Sequence, residues 1–211
     1  MERRVDLSLV RAHDLVRVTD PELLVPSGAP DWVLPALRTT PWVVVRRAAA
    51  AAGELSVGVR GATRALRHAT AIPIASVAEA LPPEALVSRI NDMPTDLPAR
   101  RSLHAARRGL DALGETWGPT GSIGFELAAG APTVTPESDL DLVVRATGWS
   151  SRARFERLAG VLAELPARVD CQIETAEGAI ALTEIVSDAG ELLLRTPTGP
   201  RLIESPWWRA S

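Results

Sequence analysis

Lysine and tyrosine are absent from the 211 residues, and cysteine occurs once, at position 171. Without lysine, all 23 basic side chains are arginines. A genome rich in G and C explains that bias without a functional cause. It still has a chemical consequence: any phosphate clamp in this chain has to be built from guanidinium groups, whose planar fork meets phosphate oxygens two at a time. A lone Cys171 excludes an internal disulfide framework and a multi-cysteine zinc site, and it suits a reducing cytoplasm. Apolar runs long enough to span a bilayer are also missing. The start Met1-Glu2-Arg3-Arg4 is followed by Asp6, Arg11, His13 and Asp14, which interrupt the chain before an apolar signal region forms. A formal charge of −3 leaves no global basic field to hold nucleic acid by phosphate neutralisation.

What is present is ordinary globular composition, 46% apolar and 23% charged, in a chain long enough to bury a sizeable core without staples. The sequence reads as α/β (α+β) in two parts, a smaller α+β domain over 1–85 and a second, α/β domain over 86–211. In the first part, Val43-Val44-Val45 reads as a buried strand, and Leu55, Val57 and Val59 alternate as a strand should. Arg60, Arg64 and Arg67 stand at i, i+4, i+7 spacing, which predicts one helical face carrying all three. From Ile72 to Pro98 five prolines predict a connection holding a short helix, Pro83 to Ile90. In the second part a helix is expected from Pro98 to Trp117, stopped by Gly118-Pro119. A strand or turn then enters a Gly-Ser corner at Gly121-Ser122, followed by a short helix. Further strands are expected at Asp139–Arg145, Arg168–Glu174 and Leu192–Arg195, and an amphipathic helix at Arg152–Leu165.

Asp139 and Asp141 are the first candidates to carry chemistry. Residues i and i+2 of a strand point to one side of the sheet, so both carboxylates would face one point while Leu140, Leu142 and Val144 face the core. Adjacent anions repel and favour a cation, and magnesium, with its preference for oxygen ligands and substrate phosphates, suits the pair. An exposed pair of edge-strand acids is the plain alternative, since so short a pattern recurs by chance. The Gly121-Ser122 corner upstream shifts that balance. Glycine lets backbone approach a phosphate closely, and helix N-terminal amides with the Ser122 hydroxyl can bind the anion. Ser122 as a simple N-cap is the competing reading. Asp170 supplies a third carboxylate, on a strand whose Asp170, Gln172 and Glu174 alternate with Val169, Cys171 and Ile173. It would complete a metal site or act as base, with Glu174 as runner-up.

Gly-Ser, a helix, Asp-x-Asp on a strand and a lone Asp on a later strand resemble the nucleotidyltransferase superfamily. More closely, Gly121-Ser122-Ile123-Gly124-Phe125-Glu126-Leu127 with Glu137-Ser138-Asp139-Leu140-Asp141-Leu142 resembles malonate decarboxylase holo-acyl-carrier-protein synthase. Val169-Asp170-Cys171-Gln172-Ile173-Glu174-Thr175, Gly199-Pro200-Arg201-Leu202 and Pro206-Trp207 extend that likeness. So do His13-Asp14-Leu15-Val16, Pro41-Trp42-Val43-Val44-Val45-Arg46-Arg47 and Val57-Gly58-Val59-Arg60-Gly61 in the first half. The resemblance implies a nucleotidyltransferase-like mixed sheet flanked by helices in the second domain. It also implies transfer of the phosphoribosyl-dephospho-CoA group from triphosphoribosyl-dephospho-CoA to a serine of the acyl-carrier subunit of malonate decarboxylase, with pyrophosphate leaving. It carries the metal pair to Asp139 and Asp141, the phosphate contact to Gly121 and Ser122, and the third acid to Asp170. Gly118-Pro119-Thr120 departs from the apolar strand that usually precedes the Gly-Ser corner.

Arg60, Arg64 and Arg201, the last in a Gly-Pro-Arg-Leu turn, are candidates for binding the substrate's phosphates; a solvated basic face is the alternative, and the better one for Arg67. His13, His68 and His104 lack ligand spacing. Cys171 reads as inert core, and Trp207 and Trp208 as packing. Two other classes share these features: a nucleotidyltransferase acting on a small molecule or another protein, and a non-catalytic nucleotide-binding module. Three retained carboxylates argue against the second.

Overall fold

Valines at alternate positions build the first of two sheets. The computed structural model describes residues 10–26, 28–146, 151–187 and 189–205. The chain divides into two compact units, 1–82 with 128–131, and 83–127 with 132–211. In the first unit the strands are β1 (Leu15–Val18), β2 (Trp42–Val45), β3 (Glu54–Arg60), β4 (Arg67–Pro73) and β5 (Val77–Leu81), and a short helix α1 (Val33–Thr39) lies between β1 and β2 in the chain. The described strands form one antiparallel sheet in the order β4-β3-β2-β1-β5. Val16, Val18, Val43, Val45, Val57 and Val59 share its buried face and pack with Val33 and Leu37 of α1. That is the period-two pattern of a half-buried sheet.

Two expectations fail in this unit. Arg60, Arg64 and Arg67 lie on no helix: Arg60 ends β3, Arg67 begins β4 directly opposite it, and Arg64 is in the loop between. The Gly61 amide donates to the Leu66 carbonyl at 2.8 Å and closes a hairpin. Cross-strand pairing along all of β3 thus overrides the i, i+4 spacing. Nor is 72–98 only a connection around a short helix, since it also contains β5. Residues Val-Ala-Glu-Ala-Leu are weak strand formers; pairing with β1 makes them a strand, with Arg17 opposite Glu79 and their side chains 3.1 Å apart.

The second unit opens with α2 (Pro83–Leu86) and a 3-10 turn at Val87–Asp92, followed by α3 (Pro98–Ala112), β6 (Thr116–Pro119), α4 (Gly121–Ala129), β7 (Leu140–Arg145), α5 (Arg152–Ala163), β8 (Val169–Thr175), β9 (Gly178–Ala181), α6 (Leu182–Ile185), β10 (Glu191–Thr196) and β11 (Gly199–Glu204). The described strands form a mixed sheet in the order β11-β10-β9-β8-β7-β6, in which β7 and β8 run parallel and the other pairs antiparallel. Leu140, Leu142, Val144, Cys171 and Ile173 meet Leu103, Ala106 and Leu110 of α3 and Phe155, Leu158 and Leu162 of α5 in one core.

α3 ends earlier than the sequence suggests. Gly114, at φ +70°, adopts the left-handed conformation that stops helices, and its amide and that of Glu115 donate to the Asp111 and Leu110 carbonyls. Thr116 to Pro119 is therefore free to pair with β7 as a strand, and the strand before the corner reaches Pro119, opposite Leu142.

Candidate active site

β6 delivers the chain to the glycine-serine corner. The Thr120 amide donates to the Asp141 carbonyl at 2.9 Å, and the Gly124 amide donates to the Thr120 carbonyl at 2.9 Å. α4 already includes Gly121, so Ser122 is its second residue and Thr120 precedes it; the N-cap reading of Ser122 does not hold. At such a helix start the first amides lie outside the intrahelical ladder and can face an anion.

Gly121 stands at φ +58°, and a Cβ built on it would lie 1.8 Å from Asp141 Oδ2. The absent side chain is the space the Asp141 carboxylate occupies. Gly121, Ser122 and Asp141 are thereby brought together at one corner.

Asp170 joins them through register. β7 and β8 are parallel, with Asp141 directly beside Asp170, and neighbouring strands lie about 4.8 Å apart. Partners in register share a sheet face, so both carboxylates project to the same side. Asp170 is exposed and Asp141 half-buried. Gln172 Nε2 donates to Asp170 Oδ1 at 3.0 Å. Asp139 is the residue just before β7 and is half-buried. The Leu140 amide after it donates to the Arg168 carbonyl at 2.9 Å. Among the described residues no three His, Cys, Asp or Glu side chains form a ready metal cage. Magnesium does not ask for one: it takes one or two carboxylates and completes its octahedron with water and substrate phosphates. A set of carboxylate oxygens beside a glycine-led helix start fits that chemistry.

The other expected residues of the second unit lie elsewhere in it. Glu174 is not on a wet face. It is buried, with its Oε2 3.5 Å from Arg145 Nη1, while Arg145 Nε sits 2.6 Å from Glu84 Oε1. α2 supplies Glu84, which meets Arg145 at the last residue of β7, four positions along the strand from Asp141. Arg201 is on β11 rather than in a turn, exposed, 3.9 Å from Glu177. β11 is the sheet edge and β7 is four strands in, about 19 Å at the usual spacing. Arg60 and Arg64 belong to the first unit. His104 Nε2 lies 2.9 Å from the Met93 carbonyl, a structural contact. Cys171 is core as expected: burial first, then the charges of Asp170 and Glu115, push its thiol far up. The residues before Val10 and the tryptophans Trp207 and Trp208, with Pro206, lie outside the described residues.

Sequence reading passed over Glu126. On α4 its Oε1 meets Arg100 Nη2 at 2.5 Å, and its Oε2 accepts from the Thr133 and Val134 amides at 2.8 and 2.9 Å. A Glu four residues after a Gly-Ser corner, ahead of a structureless loop, was the available signal.

Carboxylates gathered at a glycine-led helix start are the equipment of enzymes that handle phosphates. Comparisons with known proteins give the family. The phosphoribosyl-dephospho-CoA transferase MdcG C-terminal domain matches residues 85–206, and the MdcG N-terminal domain matches residues 11–83. The chain is 42% identical over 195 residues to a phosphoribosyl-dephospho-CoA transferase of Pseudomonas aeruginosa, covering 92% of each chain. It is 39% identical to one of Pseudomonas syringae pv. tomato, over 94% of each. An Azotobacter vinelandii protein of the same name is 38% identical over 94% of this chain and 95% of its own. No solved structure matches. The chain belongs to the phosphoribosyl-dephospho-CoA transferase family, a family of transferase enzymes. Among the described residues no helix is long and apolar enough to cross a membrane.

Proposed function

We propose that this chain transfers the phosphoribosyl-dephospho-CoA group from triphosphoribosyl-dephospho-CoA to a serine of the acyl-carrier subunit of malonate decarboxylase, in the cytoplasm, releasing pyrophosphate. The observation that carries the reading is the register of Asp141 beside Asp170, next to the Gly121-Ser122 corner. Family membership supports the transferred group, and the order of corner, helix and acidic strands supports a nucleotidyltransferase-like layout.

In this reading Asp139 and Asp141 hold the magnesium ion, with Asp170 beside them. The ion supplies neutralisation of the triphosphate charge. The amides at the start of α4 and the Ser122 hydroxyl orient the phosphates. The serine hydroxyl of the carrier attacks the α-phosphorus in line. A new phosphorus–oxygen bond forms, the bond to the bridging oxygen of pyrophosphate breaks, and the serine proton passes to the Asp170 carboxylate. Gln172, donating to Asp170 Oδ1, leaves the second carboxylate oxygen to take that proton. Positioning and charge stabilisation account for the acceleration. Arg60 and Arg64 are the arginines to test against the triphosphate or the carrier's acidic surface.

The test is direct. Purified protein, carrier subunit, triphosphate precursor and magnesium are incubated, and the carrier is weighed by mass spectrometry. The expected result is a mass gain of one prosthetic group, lost in Asp139→Ala and Asp141→Ala. An unmodified carrier, or near-wild-type transfer by either variant, overturns the reading.

A further inference from the structure

Between α4 and β7 the chain runs through residues 130–139 without regular structure and ends on Asp139. A loop of that length is ordinarily a mobile element, a poor mount for a metal ligand. Here it is tied down at successive points. The Thr133 and Val134 amides both donate to Glu126 Oε2, at 2.8 and 2.9 Å. The Thr133 hydroxyl donates to the Ser122 carbonyl at 2.8 Å. Val134 is buried in the core of the second unit. The Thr135 amide donates to Ser138 Oγ at 2.9 Å, and the Ser138 amide returns to the Thr135 carbonyl at 3.1 Å. The next residue is Asp139.

Glu126 is in turn held by Arg100 of α3, which spans Glu126 and Asp96, the latter at 2.7 Å. The Arg100 and Glu126 side chains are only 10% and 12% exposed. A buried charge pair of this kind is weak evidence for stability, because desolvation offsets the attraction. Its use is geometric: a carboxylate with one oxygen fixed by a guanidinium can present the other oxygen rigidly to two backbone amides. Burial works against the charge of Arg100, but its bonds to Asp96 and Glu126 outweigh that and keep it firmly protonated.

We propose that Glu126, braced by Arg100, is a positioning residue that fixes the 130–139 loop against the glycine-serine corner and so sets where Asp139 stands in the metal site. Both Glu126 oxygens are engaged by Arg100 and the loop amides, so it acts through the loop. The inference rests on the metal role proposed above for Asp139 and Asp141.

The experiment compares wild type, Glu126→Gln and the milder Thr133→Val as full-length, folded proteins. Manganese binding in the presence of inorganic tripolyphosphate is followed by electron paramagnetic resonance, and magnesium dependence by carrier transfer. The expected result is a manganese dissociation constant raised about tenfold or more in Glu126→Gln, the range for supports behind metal ligands. The magnesium half-saturation should rise in parallel, and Thr133→Val should lie in between. Glu126→Asp, which keeps the charge, should recover part of the loss. Wild-type manganese affinity and magnesium dependence in both variants, with only a lowered melting temperature, would reduce the clasp to ordinary structure and overturn the proposal. Failure of the wild type itself to bind manganese would overturn the metal reading and this inference together, and that outcome is visible before any substitution is made.

Discussion

Replacing Gly121 with alanine isolates the contact on which the site depends. Two effects follow, and they can be separated. The first is conformational. Gly121 sits at φ +58°, where an L-residue costs roughly 1–2 kcal/mol, partly offset by about 0.4–1 kcal/mol from a stiffer unfolded chain. The second is steric. The new Cβ would stand 1.8 Å from Asp141 Oδ2 and 2.7 Å from its Cγ, well inside the separation of about 3.5 Å at which non-bonded heavy atoms rest. The carboxylate has to withdraw by about 1 Å or more, and a displacement of that size at a reacting centre costs on the order of 10²-fold in rate.

Gly114 is the matched control. Its φ is +70°, and a Cβ there would meet nothing within 4 Å. Gly114→Ala therefore carries the backbone cost without the collision, and it lies at the end of α3. Both variants should lose a few degrees of melting temperature. Only Gly121→Ala should lose about two orders of magnitude in carrier transfer measured by mass spectrometry. Transfer within a few-fold of wild type by Gly121→Ala, at the same melting temperature as Gly114→Ala, would show that the corner and Asp141 do not work as a unit.

Asp170→Asn should lower transfer by at least about 10²-fold if that carboxylate accepts the serine proton. Its melting temperature should hold or rise, because the exchange relieves repulsion from Asp141 beside it; unchanged turnover would remove Asp170 from the chemistry. Arg145→Met removes the guanidinium beside the largely buried carboxylates of Glu84 and Glu174, so urea titration should show a loss of about 3–5 kcal/mol, and a change below ~1 kcal/mol would mean that other contacts of those carboxylates compensate. Cys171 is 5% exposed with its thiol pushed up by burial. It should resist a thiol reagent in mildly alkaline buffer and react at once in denaturing urea, and rapid labelling of the native protein would contradict its core placement.

Sequence patterns carried the local elements well, because periodicity reports burial directly. Val57 with Val59, Leu140 with Leu142, and Phe155, Leu158 and Leu162 each lie on the face their spacing assigns. Patterns failed where a distant strand decided the outcome. Arg60, Arg64 and Arg67 have helical spacing, yet β4 pairs residue by residue with β3. Val77–Leu81 has little strand character, yet β1 recruits it. Glu174 alternates with apolar neighbours like any solvent-facing residue, yet Arg145 in register beside it draws it into a buried charge cluster. In each case the missing information was which strand lies alongside, and nothing in a single strand's composition encodes that.

The same limit bears on the carboxylates. Spacing along one strand suggested Asp139 and Asp141 as the pair. In the fold, the contact fixed by backbone geometry is between strands: Asp141 opposite Asp170 on parallel β7 and β8. A parallel pair needs a crossover, and α5 supplies it between them, burying Phe155, Leu158 and Leu162 against the sheet. The register that aligns the two acids is thus set by a hydrophobic core on the opposite face. Sliding β8 by one residue would turn Asp170 into that core and Cys171 out of it, at the cost of a buried, unpaired carboxylate. Apolar packing therefore holds these anions together, and it does so whether or not a cation is bound. Asp139 lacks that guarantee, because it precedes the strand and its position depends on the loop that leads to it. Two of the three carboxylates are set by the sheet and, in the proposal, the third by Glu126 and Arg100, which is why a substitution at Glu126 should be felt at the proposed metal site.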